Sequence, residues 1–157
     1  MSQGYFWRLA FGPRGVRLLM NLWPPFRGMG VKVREIAPDF RRVRVELRMR
    51  LLNRNYVGTH FGGSMFAMAD PFYMIMMMQN LGRDYIVWDK AGAVRFLKPG
   101  KGTLTADFEV TQAMVDEAIE RTREGAKFEP TYAVDLKDGE GTVVATVEKT
   151  LYIRKKK

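Results

Sequence analysis

Residues 62–81 read GGSMFAMADPFYMIMMMQNL and constrain the fold more than any other stretch of this 157-residue chain. The length and the lack of strand alternation predict a helix opened by Gly62-Gly63 and closed near Gly82, a suitable residue just past a helix end. At about 100° per residue, Phe66, Tyr73 and Met77 fall on one side of Asp70, Ala67 and Met74 on the other, and Met65, Phe72 and Met76 opposite. A helix apolar nearly all round must be covered nearly all round. One sheet covers one face. The rest must be covered by a partner subunit or by the N-terminal helices. Pro71 removes the hydrogen bond to the Ala67 carbonyl and predicts a kink beside Asp70.

The flanking patterns are mostly strands. GVKVREIA and RRVRVELRMRLL alternate, with Val43, Val45, Leu47 and Met49 on one face of the second and arginines on the other. Asp39 falls in the turn between them. Further strands are expected near 85–88, 92–97, 103–112, 127–137 and 142–153, with KPGKG and KDGEG as turns. Residues 113–124 read as a short amphipathic helix. Residues 4–23 read as two short helices split at Gly12-Pro13 and ended by Pro24-Pro25. The expectation is one α+β domain over 1–157, with an antiparallel sheet and closing meander around one central helix. Residues 1–28 form an N-terminal helical extension and 113–126 a helical insertion.

Composition narrows the function. There is no cysteine, which excludes disulfides, thiol nucleophiles and thiolate metal sites. A single histidine, His60, and no clustered carboxylates leave no metal-ligand spacing. No apolar run is long enough for a membrane span, and the N-terminus lacks the plan of a signal peptide, so a cytoplasmic protein is expected. The net charge is +9, and twelve of the 26 basic residues precede residue 56. That suits either a solvated basic rim or an anionic partner. The aromatics do not form stacking platforms in a basic groove, so nucleic acid is not the expected partner.

Asp70 carries the chemistry. A carboxylate among Phe66, Tyr73, Met74 and Met77 loses hydration and is usable as a general base; the plainer reading is a shape-holding aspartate bonded to backbone or to Tyr73. The Gly62 and Gly63 amides are first-turn donors open to a ligand, or simply a tight entry to the helix. Asn55 is a turn residue or orients a water. His60 binds a phosphate, assists as an acid, or lies near the surface, which is the plainest reading. Met68, Met74, Met76, Met77 and Met78 are core or interface packing, or the wall of an acyl tunnel. Lys98 and Lys101 are solvated, or meet phosphates.

Three stretches carry a family resemblance. They are N-x-x-G-T-x-x-G-G-x-x-F-x-x-A-D over Asn55–Asp70, RFLKPGKGTLTADFEV over residues 95–110, and the closing GTVVATVEKTLYI. In this order they resemble the hotdog-fold superfamily, in its PaaI-type branch of acyl-CoA thioesterases. The resemblance covers about residues 30–155. It implies an antiparallel sheet wrapped around a long central helix, and an active site at a dimer interface. Asp70 would be base or nucleophile, the Gly62/Gly63 amides the oxyanion hole, and Asn55 a positioner of water. His60, Phe61, Phe66, Tyr73, Lys98 and Lys101 would contact substrate. Coenzyme A enters as part of the substrate, with no separate cofactor. The PaaI-type pattern has His directly before Gly-Gly, where this chain has Phe61.

The rise of the helix agrees with a shared site. Asp70 lies about 10 Å along the helix from Gly63, whereas a base must stand within about 3 Å of its water. Two antiparallel copies can bring Asp70 of one to Gly62–Gly63 of the other. A homodimer is expected, paired further into a tetramer. A hydratase or dehydratase of 3-hydroxyacyl thioesters, and a non-catalytic acyl-thioester or lipid binder, are the alternatives.

Overall fold

A computed structural model describes residues 12–156. The expected helix over 4–11 lies outside the described residues. Helix α1 spans Pro13–Leu22 and α2 spans Pro24–Met29. The prolines at 24 and 25 therefore do more than end a helix. They start a second one, because a proline at the first helical position loses no helix hydrogen bond and is already at helical φ. Strands β1 (Val31–Ile36) and β2 (Arg42–Arg48) follow as expected, with Asp39 in the turn accepting a hydrogen bond from the Arg41 amide at 3.0 Å.

The central helical segment is broken as well as kinked. Helix α3 covers Gly62–Ala67 and α4 covers Phe72–Leu81. Proline at 71 cannot donate to the Ala67 carbonyl. The Asp70 amide takes that acceptor at 3.4 Å and the Ala69 amide takes Phe66 at 3.0 Å, a tighter three-residue turn that places Asp70 at its end.

The sheet continues with β3 (Tyr85–Phe96), one strand where two were expected. The interruption at Lys90 and Gly92 is a bulge between Asp89 and Ala91, which shifts register without ending the pairing with β7. Strand β4 is Thr103–Glu109 and α5 is Gln112–Arg121, its start capped by Thr111. Strands β5 (Lys127–Phe128), β6 (Thr131–Lys137) and β7 (Val143–Lys155) complete the fold.

All pairings are antiparallel, in the order β1-β2-β4-β6-β7-β3, with β5 added to β7. This corrects the expected meander. The helical segment carries the chain across the sheet, so β3 lands on the far edge and β4 returns beside β2.

The sheet wraps one side of the segment. Met65, Met68, Ala69, Phe72, Tyr73, Met76 and Met77 are buried against it, while Phe66, Ala67, Asp70, Met74, Ile75 and Met78 are only partly buried on the other side. Of the N-terminal helices, α2 sends Phe26 to the Phe72 ring, with centroids 6.1 Å apart. Helix α1 instead packs on β1, where Asn21 pairs with both the amide and the carbonyl of Val33 at 2.8 and 2.9 Å. Neither helix buries the outer face of α3–α4. Among the described residues no helix is long and apolar enough to cross a membrane.

Candidate functional site

Asp70 projects from the broken turn with its side chain 49% exposed. Its partner is neither backbone nor Tyr73 but Lys149 of β7, whose Nζ donates to Asp70 Oδ1 at 2.6 Å. The Lys149 side chain is only 3% exposed. A second carboxylate, Asp89 of β3, places Oδ1 3.3 Å from the same Nζ, close enough to pair in charge but without hydrogen-bond geometry. Burial raises the Asp89 pKa above the ordinary carboxylate value; Lys149 opposes that rise and Asp70 adds to it. The Phe66 ring lies against Nζ, 5.2 Å from its centroid. Gly92 makes room for that ring, since a Cβ at 92 would stand 2.8 Å from Phe66 Cζ.

Lys149 and Asp89 were not singled out from the sequence, although a signal was there. Val147, Lys149, Leu151 and Ile153 occupy alternate positions of β7, and all four are buried. A lysine on the apolar face of an alternating strand needs a counter-charge.

The second half of the site is the entry to α3. The Phe61 ring covers Gly63 and the Phe96 ring covers Gly62; a Cβ would stand 2.4 Å from the first ring and 2.8 Å from the second. Glycine at both positions is what lets these half-exposed rings close on the helix start. Among the described residues, the Gly62 and Gly63 amides donate to no acceptor, whereas those of Ser64 and Met65 reach the Phe61 carbonyl at 2.9 and 3.3 Å.

Beside this entry lies a cleft of about 450 Å³. Asn55, His60, Gly62, Met65, Phe96 and Lys98 all contribute to its lining. It gathers Asn55, His60, Gly62 and Lys98 from the expected set. Lys101 is exposed in the neighbouring turn. Within the chain, Asp70 does not line this cleft.

Asn55 acts on the loop itself. Its Nδ2 donates to Thr59 Oγ1 at 2.7 Å and to the His60 carbonyl at 3.1 Å, while Oδ1 accepts from the Val57 and Thr59 amides. Both amide hydrogens are engaged, which favours the turn reading over the water-orienting one.

His60 is not near the surface. It is 1% exposed, and its Nε2 donates to the Gly102 carbonyl at 2.9 Å, with the tautomer fixed by that acceptor. The ring ties the loop to the turn before β4, and Nδ1 is buried without a partner among the described residues. Burial lowers its pKa below the ordinary histidine value. The folded protein then binds this proton less tightly than the unfolded chain does. Stability is full above the ordinary histidine range and is lost as pH falls through it. The melting temperature should drop between about pH 7 and about pH 5. His60→Gln, which keeps a donor for Gly102, should narrow that drop. The same pH dependence in both proteins would clear His60 as its cause.

Tyr73 turns away from Asp70. Its hydroxyl donates to the Ala133 carbonyl on β6 at 2.6 Å, its ring packs on Phe108 and Tyr132, and burial pushes its pKa up to about 12. It is placed in the core, because helix α4 carries it on the sheet-facing side with Phe72 and Met76. Of the methionines, Met68, Met76 and Met77 are core, while Met74 and Met78 are partly buried at its edge. Among the described residues no three His, Asp or Glu side chains converge to hold a metal ion.

Residues 15–153 match a family described as a domain of unknown function, DUF4442. No curated protein matches the chain. Solved structures do. A Pseudomonas aeruginosa protein of unknown function, a probable thioesterase, aligns with a TM-score of 0.78 at 19% identity, covering 88% of this chain and 92% of that one. A Haemophilus influenzae thioesterase aligns at 0.68 and 13% identity, over 94% of both chains. The PaaI protein of the Escherichia coli phenylacetic acid degradation operon aligns at 0.62 and 16% identity, over 88% of this chain and 90% of that one. The likeness is one of architecture, an antiparallel sheet around a central helical segment. The fold is the hotdog fold, and the chain belongs to the DUF4442 family.

Proposed function

We propose that the protein hydrolyses acyl-CoA thioesters at a site shared between two copies of the chain. The observation that carries this reading is an ion-paired carboxylate, Asp70, standing on an apolar helix face that the described residues only partly cover. Asp70 takes a proton from water as the water oxygen attacks the thioester carbonyl carbon. The oxyanion that forms is held by the first-turn amides at Gly62 and Gly63 of the partner subunit. Collapse expels the coenzyme A thiolate, which takes up the proton and leaves as the thiol beside the free acid.

Several features support this arrangement. The two amides donate to nothing within the described chain, and the apolar outer face of α3–α4 calls for a cover. The long strand β3 stands last in the sheet order and, among the described residues, pairs with no strand beyond β7, so two copies can pair there and bring their helices together. The cleft beside Gly62 suits the thioester arm, with Met65 and Phe96 in its apolar lining; Phe61 covers Gly63 at the same helix entry, and Phe66 stands beside the Asp70–Lys149 pair. Lys98 and Lys101 offer cations to the nucleotide phosphates. Asn55 and His60 serve the site by holding the loop that enters α3. The neighbouring structures that are thioesterases or probable thioesterases point to the same chemistry.

Two measurements test the proposal. Incubation with acyl-CoAs of graded chain length, aliphatic and aryl, should release free thiol from at least one. Light scattering should return a dimer or a pair of dimers. No thiol from any substrate removes the hydrolase reading, and a monomer at working concentration removes the shared site.

A further inference from the structure

Lys149 sits where an ammonium has almost no water. It occupies the inward face of β7 between Val147 and Leu151, and it pairs across the sheet with Gly92 of β3. Such a charge is tolerated only when compensated. Three groups surround it. Asp70 reaches it from the α3–α4 turn at 2.6 Å, Asp89 from β3 at 3.3 Å, and the Phe66 ring lies alongside. Asp70 is the only carboxylate in α3–α4.

The two carboxylates are not equivalent. Asp70 is half-exposed and keeps one oxygen free of Lys149. Asp89 is 23% exposed, with Oδ1 buried behind the ammonium. Only Asp70 can meet a ligand on the outer face.

We infer that Lys149 and Asp89 are positioning residues for Asp70, Lys149 by fixing the direction of its carboxylate and Asp89 by keeping the ammonium compensated when Asp70 is neutralised. The inference rests on the thioesterase reading. By holding Oδ1 of a side chain that is 49% exposed, Lys149 leaves Oδ2 free for a ligand, and this geometry is in place before substrate arrives. In the attack step the proton of water moves to Asp70 and the remaining hydroxide bonds to the carbonyl carbon. Asp70 is then neutral. Were it the sole partner of Lys149, a buried ammonium would be stranded at that moment. Asp89, 3.3 Å from Nζ, remains beside it as a counter-charge.

A double-mutant cycle on kcat tests this. Lys149→Met keeps an unbranched stem and removes the ammonium. It should lower kcat by about 100-fold, the scale of a misplaced reacting group, with KM within about twofold of wild type. Asp89→Asn alone should lower kcat by at least about tenfold, and should add nothing in the Lys149→Met background, because it acts through the ammonium. Should Lys149→Met fail to fold around an unpaired Asp89, the double variant, which has no stranded interior carboxylate, and the Asp89→Asn single variant still decide the matter. Losses that multiply independently, or that fall on KM rather than kcat, overturn the inference, as does full activity in Lys149→Met. A wild type without turnover overturns the thioesterase reading, and this inference with it, whereas an active wild type with an unaffected Lys149→Met overturns this inference alone.

Discussion

Asp70→Asn is expected to lower kcat for acyl-CoA hydrolysis by at least about 100-fold, the lower range of what a positioned general base contributes, while leaving the melting temperature close to that of wild type. The side chain is half-exposed, and asparagine keeps its shape and an oxygen to accept from Lys149. What it loses is the capacity to hold a proton taken from water. The change therefore separates chemistry from folding. A carboxylate that served only to compensate Lys149 would show a different result, with turnover retained in a protein that still folds. Steady-state thiol release and a thermal melt on the same preparation distinguish the two. Retained turnover in Asp70→Asn would remove Asp70 from the mechanism whatever else the protein does.

Phe72→Ala is expected to have the largest effect on stability, about 4 kcal/mol for a buried aromatic truncated in a packed core. Phe72 is 1% exposed and lies in a run of rings. Its centroid is 6.1 Å from Phe26 and 5.0 Å from Phe108, and the Phe108 ring meets Tyr73 edge-on at 5.3 Å. The cavity opens between α2, α4 and the sheet, which come from three separate stretches of chain and cannot all close on it. For a chain of this size the loss corresponds to a melting temperature lower by about 10 °C. Differential scanning calorimetry reads it directly, and a loss near 1 kcal/mol would mean that α2 collapses onto the gap.

Much of the architecture was legible because it rests on local rules. Alternation in RRVRVEL gave β2, Asp-Gly chemistry gave the hairpin before β7, and Gly82 marked the end of α4. The placement of β3 was not legible. Its neighbours in sequence are α4 and β4, yet it pairs with β7, 49 to 70 residues away, and no local pattern records which edge a strand joins. The halves of the site differ in the same way. The Gly62-Gly63 entry and Asp70 stand in one motif and could be named from it. Lys149 lies 79 residues from Asp70, and only the fold brings its ammonium to that carboxylate. His60 misled for a related reason, since a polar residue in a loop reads as exposed until its acceptor, Gly102, is known.

Asn21 gives the sheet a direction of growth. Its amide group fills the donor and acceptor of Val33 on β1 as a neighbouring strand would, so that edge offers less to another chain. Among the described residues no side chain fills the opposite edge, along residues 86–96 of β3, in this way. A sheet open at both ends can recruit copies without limit, as fibrils do, whereas a sheet with one live end meets its like once and stops. For the dimer proposed above, Asn21 would then act as a terminator of assembly. A chain lacking Asn21 would carry the hazard of polymerisation even with its chemistry untouched.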